Sequence, residues 1–483
     1  MQGDLNKQIG RATKWSSITE IIAKLISPIV NIVLARLLLP EAFGVVTTIT
    51  MVISFAEVFA DAGFQKYIVQ HEFDSEKELE NSTNVAFWTN LSISLFICAI
   101  IFIFRNGIAE LVGSSGLGNA ISIASISIIL VAFSSIQTAR YKRDFDFKTL
   151  FFARIGTSLI PLLVTIPLAL VFRNFWALLI GTLASNLFNA VVLTLKSKWR
   201  PSFYYSIPLL KEMLSFSLWT LLESIAIWLT SYADIFIVGR MLDDYYLGLY
   251  KTSMTTVNSY MAIVTSAVIP VLFSALSRIQ NDEEQFKGTY YNFQRLTAVL
   301  VIPMGVGMFL YSDLVTQILL GSNWMEASPF IGLWSLTSAI TIVFSHFNSE
   351  VYRSKGEPRI SLISQIIHLA FLIPTLLLVV GYGFNALYIA RSLIRIQGII
   401  VGLLIMHFRY KFKIGDVIKN VAPMAISAII MGIAGYLLKM ISSNLIWSFA
   451  SILVCAAVYF AILFAFFPRI RNQIVSMILK RNK

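Results

Sequence analysis

The side chains able to do chemistry in this sequence are charged residues set inside long apolar stretches. Lys24, Arg154, Arg295, Arg391 and Arg395 are the basic ones, and Glu57, Asp61 and Glu223 the acidic ones. A basic residue at the centre of a membrane helix costs about 2.5–3.5 kcal/mol on insertion scales, so it faces a cavity or a partner. Arg391 and Arg395 stand four apart, on one face of a helix, roughly 9 and 15 Å from the start of their apolar run at 1.5 Å per residue. Two like charges on one face require an anion, and guanidinium forks suit phosphate oxygens or carboxylates. Two readings are open: a substrate-facing phosphate site, or structural pairing with carboxylates such as Glu57 or Glu223. Lys24 lies mid-run, four residues after Glu20, and either lines a cavity or forms a locally neutral pair. Arg295, beside Tyr291 and Gln294, is open between a cavity and a headgroup contact, whereas Arg154 is expected to snorkel to headgroups. Glu57 and Asp61 share a helix face. Glu223 sits mid-span, where a buried carboxyl can titrate near neutral pH and couple transport to a proton or sodium gradient. Asp234 and Arg240 read as a structural pair.

These residues need long helices to hold them. The chain has 483 residues, 57% hydrophobic and 13% charged, with mean hydropathy +0.75. A soluble domain is about 45–50% apolar and about 25% charged, so this is an integral membrane protein. The apolar runs are continuous and near 20 residues, which implies helices and not a barrel. Spans are expected at about 14–36, 42–66, 84–104, 118–139, 150–172, 174–195, 211–239, 246–275, 290–311, 328–351, 358–380, 385–406, 416–438 and 445–467. With those fourteen spans, the segments on the side of the termini carry 27 Lys and Arg against 6 on the other side. That asymmetry predicts cytoplasmic termini. It also assigns the net charge of +12 to topology and not to a nucleic-acid surface.

An internal repeat organises the spans. Residues 15–48 and 219–252 align without a gap at a shift of 204. They match at Trp15/Trp219, Ile21/Ile225, Leu25/Leu229, Ser27/Ser231, Arg36/Arg240, Leu38/Leu242, Gly44/Gly248 and Thr48/Thr252. Six helices separate the copies, so both halves have the same orientation, as in parallel-repeat transporters. The expected organisation is an all-α polytopic protein. Residues 1–200 form an N-terminal lobe of helices 1–6, residues 201–410 a C-terminal lobe of helices 7–12, and residues 411–483 an appended pair with a basic tail. Lys24 aligns with Trp228, so any basic site is asymmetric between the halves.

Several chemistries are disfavoured. No G-x-x-x-x-G-K-[ST] is present, which argues against direct coupling to ATP by a P-loop. Cys98 and Cys455 lie in apolar runs, and His71, His346, His368 and His407 are scattered, so no metal site or cofactor is expected. The loops are too short to hold an enzyme domain, and the polar start (MQGDLNKQIGRATKW) does not read as a removable signal peptide.

Longer motifs carry a family likeness. VLARLLLPEAFG, FADAGFQKYIVQ, QTARYKRDFDF, SRIQNDEEQFKGTYYNFQRL and GSNWMEASP, in this order, resemble bacterial oligosaccharide repeat-unit flippases of the Wzx type. Within that family the sequence is most like the colanic-acid and teichuronic-acid branch. The resemblance implies a multidrug/oligosaccharidyl-lipid/polysaccharide exporter fold in the bacterial cytoplasmic membrane. It also implies alternating access that moves undecaprenyl-diphosphate-linked oligosaccharide outward, with a cationic cavity receiving the diphosphate. Lys24, Arg295, Arg391 and Arg395 are the candidates for that cavity, and Glu57, Asp61 and Glu223 for ion coupling. Implied partners are the lipid-linked oligosaccharide, membrane lipids, and a polysaccharide polymerase with its export machinery. The alternatives are another cargo in the same fold (a peptidoglycan lipid precursor or a cationic drug) and a membrane-embedded glycan-processing enzyme.

Overall fold

In hydrocarbon every backbone N–H and C=O must be satisfied within the chain, so uninterrupted apolar runs of this length become helices. The computed structural model describes residues 22, 26–61, 63–357, 359–442, 444–468 and 470–472. Among them there are helices and no strands. In chain order the spans are α1 (Ile26–Leu37), α2 (Pro40–Asp61), α3 (Glu76–Ile103), α4 (Gly118–Arg143), α5 (Phe147–Phe172), α6 (Phe175–Lys196), α7 (Ile207–Met241) and α8 (Asp244–Arg278). They continue with α9 (Glu283–Leu310), α10 (Ser322–Ser354), α11 (Arg359–Tyr382), α12 (Phe384–Tyr410), α13 (Ile414–Ile441) and α14 (Leu445–Phe466). Twelve are long and apolar enough to cross a bilayer outright, and α8 makes thirteen as a bent span. The short apolar helix α1 overlaps the first expected span, part of which lies outside the described residues, so the described residues carry twelve to thirteen candidate spans where about fourteen were expected.

Helix starts follow local chemistry. Side chains of Ser75, Asp146, Asn174, Asp282 and Asn444 accept hydrogen bonds from backbone N–H groups in the first turn of α3, α5, α6, α9 and α14. Each satisfies a donor that the helix itself leaves orphaned. Proline explains the distortions. Pro270 lies inside α8, which bends by 42° between Ser266 and Val268, because a proline leaves the carbonyl four residues earlier without its donor. Pro161 opens a π-helical turn, Pro161–Thr165, within α5. Both α7 and α8 have 35 residues, about 52 Å at 1.5 Å per residue. They outrun a hydrocarbon core of about 30 Å, which is why they are longer than hydropathy alone suggested.

The chain forms two compact units, Met1–Lys251 and Thr252–Lys483. In the first, α2 packs against α7, α3 and α4, and α6 packs against α4 and α5. Phe64, Phe87, Ile136 and Trp199 form part of its buried core. In the second, α9 packs against α10 and α13, and α13 against α14, around buried Tyr311, Val343, Met424 and Tyr459. The sequence repeat places a boundary before α7. Packing instead joins α7 and the start of α8 to the preceding helices.

The repeated turn explains that packing. A Cβ on Gly44 would run into the backbone carbonyl of Asp244, and a Cβ on Gly248 into the backbone carbonyl of Pro40. Both carbonyls lie four residues before a glycine of the pair. The first turns of α2 and α8 therefore meet backbone to backbone, each using its glycine to admit the other. Ser114 Oγ donates to Asp244 Oδ1 at 3.0 Å, and Arg240 Nη1 donates to the Glu110 carbonyl at 2.6 Å. Arg240 is thus held by a carbonyl where a pair with Asp234 was expected. Asp234 is buried and accepts from the Tyr250 hydroxyl at 2.8 Å.

Candidate functional site

Arg391 and Arg395 lie on the same face of α12, as their spacing required, and the structure supplies what the sequence could not name. Both guanidinium carbons sit over the indole of Trp334 on α10, at 5.0 and 4.0 Å from its centroid. Arg395 Nη1 donates to Ser338 Oγ at 2.7 Å. Trp334 and Ser338 are themselves four apart, so a four-residue step on α10 meets a four-residue step on α12. Trp334 Nε1 donates to Asn258 Oδ1 of α8 at 3.1 Å, which orients the ring. Arg391 and Trp334 are almost wholly buried, at 9% and 3% exposure. Cation–π contacts are worth about 2 kcal/mol or more when desolvated. The indole and the hydroxyl orient the two guanidiniums. Immediately after this rung α10 takes a π-helical turn, Ile342–His346, a distortion frequent at functional positions.

Arg295 is placed in a different constellation. Its Nε and Nη2 both donate to Asn420 Oδ1 of α13, at 3.0 and 2.6 Å. Asn420 Nδ2 donates back to the Tyr291 carbonyl and to Gln294 Oε1, at 2.8 and 2.9 Å, and Gln294 Nε2 donates to the Val343 carbonyl at 3.1 Å. This network ties α13 to α9 and α9 to α10. Lys24 lies outside the described residues.

The three acidic candidates have distinct surroundings. Glu223 forms an ion pair with Lys66 at 2.8 Å, with both side chains about half exposed (53% and 44%). Asp61 accepts from Ser135 Oγ at 2.8 Å. Glu57 lines a cavity of about 190 Å³ with Ser54 and Asn186, and no described side chain or backbone donor bonds to it. Trp228, the residue aligned with Lys24, donates to Ser54 Oγ at 3.0 Å and stacks on Tyr232.

Charge-based reading of the sequence missed a large polar space. A cavity of about 710 Å³ opens among α1, α4, α5 and α6, and its lining includes Asn31, Asn186, Asn189, Lys142 and Arg154. Gly156 seats the Phe188 ring of α6, and Gly181 seats the Thr165 side chain of α5. These close contacts fix how far α5 and α6 splay. Hydroxyls of Thr138, Thr157, Ser158 and Ser185 donate to carbonyls of their own helices. The three asparagine amides and the Arg154 guanidinium have no protein partner among the described residues. Arg154, read from its depth as a headgroup contact, is exposed and lines this open polar cavity. The available signal was Asn186 and Asn189, three apart on α6 in an otherwise apolar run.

A second cavity, of about 530 Å³, is apolar. Met304 and Met308 of α9, Met431 of α13, and Phe449 and Phe460 of α14 line it, with Tyr260 of α8. Helices 13 and 14, whose role the sequence left open, build one wall of this space.

Comparison with known proteins converges on one group. A family model described as polysaccharide biosynthesis protein matches residues 33–329, more than half of the chain. The chain is 27% identical over 344 residues to the succinoglycan biosynthesis transport protein ExoT of Rhizobium meliloti, covering 71% of this chain and 68% of that protein. It is 22% identical over 326 residues to the lipopolysaccharide biosynthesis protein WzxC of Escherichia coli, covering 66% and 65% of the two chains. The teichuronic acid biosynthesis protein TuaB of Bacillus subtilis is 19% identical over 73% of this chain and 72% of its own. Among solved structures, the lipid II flippase MurJ in an inward closed conformation superposes with TM-score 0.77 at 16% identity, over 94% of this chain and 98% of that one. An inward-facing multidrug resistance transporter of the MATE family gives TM-score 0.62 at 14% identity, over 83% and 98%. At such identities the structures report the fold, which is that of membrane transporters. The matched model, extending from the first described helix through the start of α10, decides the family: this multi-pass membrane protein belongs to the polysaccharide biosynthesis protein family.

Proposed function

We propose that this protein is a flippase that carries undecaprenyl-diphosphate-linked oligosaccharide repeat units across the bacterial cytoplasmic membrane by alternating access, for surface polysaccharide assembly. The observation that carries the reading is the arginine pair stacked on a buried indole, two oriented guanidiniums within an apolar span. A diphosphate offers oxygens to both forks, and desolvation inside the bilayer strengthens each contact. The apolar cavity against α13 and α14 suits part of a polyprenyl chain, and the polar cavity of the first unit suits sugar hydroxyls. Each chemical part of such a substrate therefore has a chemically matched surface. The repeat supports functional lobes of helices 1–6 and 7–12, with α7 and the start of α8 packed onto the first. The excess of Lys and Arg on one side supports a cytoplasmic location for both termini. The working partners are the lipid-linked oligosaccharide and the polymerase and export machinery that consume it.

Coupling to a proton or sodium gradient is assigned to the carboxylates of the first unit, foremost Glu57. It lines its cavity together with Asn186, which also lines the polar cavity. The test is replacement of Arg391 and Arg395 together by alanine in cells that depend on this protein. Surface polysaccharide should disappear while the protein still reaches the membrane, and normal polysaccharide would remove the arginine pair from the substrate path.

A further inference from the structure

The cavity among α1, α4, α5 and α6 has a composition that a general water-filled vestibule does not need. Asn31, Asn186 and Asn189 each present an amide with no protein partner among the described residues, with one acceptor and two donors. The hydroxyls of Thr138, Thr157, Ser158 and Ser185 around them donate to their own helix carbonyls, so the amides, with Ser27, are the neutral groups left to recognise something. Amides placed side by side match the alternating donor and acceptor character of vicinal hydroxyls on a sugar ring. Arg154 lies seven residues into α5, about 10 Å from its start at 1.5 Å per residue, and its guanidinium lines the same space without an acceptor. Lys142, the other cation of the lining, donates to the neutral Gln65 Oε1 at 3.2 Å. Two cations among neutral amides favour an acidic group on an otherwise neutral, hydroxyl-rich ligand. At about 710 Å³ the space falls within the range of small-molecule sites, about 300–1,000 Å³. The π-helical turn that begins at Pro161, itself part of the lining, ends the polar stretch of α5.

We propose that this cavity is a saccharide subsite selective for a sugar bearing a carboxylate, with Asn31, Asn186 and Asn189 reading hydroxyls and Arg154 holding the acid. The inference rests on the transport reading above and deepens it, because it names the chemistry of the glycan as the property sensed by the first unit. The arginine pair on Trp334 is left to the phosphates.

The test uses the full chain in lipid nanodiscs and two soluble probes. One is a glucuronate-containing disaccharide, and the other is the same disaccharide with its carboxyl reduced to the alcohol. Wild type should bind the acidic probe at least ten-fold more tightly. Arg154→Gln should bind both equally, at the affinity of the reduced probe, and Asn186→Leu with Asn189→Leu should weaken both probes together. Arg391→Gln with Arg395→Gln should keep the wild-type discrimination while losing export in cells. Thermal unfolding of each variant separates a lost contact from a lost fold. Equal binding of the two probes by wild type overturns the proposal, as does discrimination that survives Arg154→Gln. Competition by inorganic diphosphate that depends on Arg154 also overturns it, assigning the guanidinium to the phosphates of the lipid carrier. If Arg154→Gln discriminates like wild type while export still needs Arg391 and Arg395, the subsite fails and the transport reading stands. If the subsite behaves as described and export ignores the arginine pair, the reverse holds.

Discussion

The two halves of the sequence repeat share a frame and differ in what they enclose. In the first, a polar cavity is lined by amides that have no protein partner among the described residues, with Arg154 and Lys142 beside them. In the second, two guanidiniums are stacked on one buried indole whose N–H is itself engaged by Asn258. Neutral amides recognise the shape and hydroxyl pattern of a ligand, whereas paired guanidiniums recognise charge. Under the proposed function, a substrate with a sugar part and a diphosphate part would use both kinds of surface, while Gly44 and Gly248 let the first turns of α2 and α8 meet.

The largest expected effect attacks that frame. Gly44→Ala or Gly248→Ala drives a methyl into a backbone carbonyl, which has no alternative rotamer to adopt. Overpacking typically costs about 1–3 kcal/mol and occasionally more, and these contacts belong at the upper end. Each variant should give little monodisperse protein after extraction, and to a similar degree. If one glycine tolerates the change, the reciprocal account of the turns is wrong.

Next comes the second half's orientation device. Trp334→Ala removes the surface under both arginines and, as a buried Trp→Ala change, should cost about 3–5 kcal/mol of stability. Trp334→Phe retains a ring face and loses the bond to Asn258, so it should fold and export with a several-fold loss. Thermal unfolding together with a polysaccharide assay separates the two. Equal behaviour of the alanine and phenylalanine variants would mean that the ring does not position the arginines.

Smaller effects compare the carboxylates of the first unit. Glu57→Gln should flatten the dependence of transport on an imposed proton or sodium gradient while leaving the protein folded. Glu223→Gln should have the least effect on stability, because an ion pair exposed to this extent contributes about 0–1 kcal/mol. It was read from sequence as a coupling residue, and Lys66 is its ion-pair partner. Should Glu223→Gln abolish gradient dependence and Glu57→Gln leave it intact, the coupling group is the paired one.

How far the sequence reached depends on the kind of signal. Continuous apolar runs located α2 to α14, and the repeat matched Gly44 with Gly248, the two glycines that the structure brings together. The four-residue spacing of Arg391 and Arg395 put them on one face. Their floor could not be read, because Trp334 is 57 positions from Arg391 and only packing brings α10 under α12. The same applies to Arg295, whose acceptor Asn420 belongs to α13. The polar cavity escaped notice because asparagine carries no charge and three amides scarcely lower the hydropathy of their helices. Arg154 was judged by its depth, and depth does not say whether a helix face meets lipid or an internal space.

The central claim is tested most directly by reconstituting the purified protein in liposomes with a fluorescently labelled undecaprenyl-diphosphate oligosaccharide from its own host, and measuring transfer between leaflets. The wild-type protein should move the lipid well above the rate in empty liposomes, and Arg391→Gln with Arg395→Gln should return it to that background. A wild-type rate equal to that of empty liposomes, or a double variant as fast as wild type, would contradict the account.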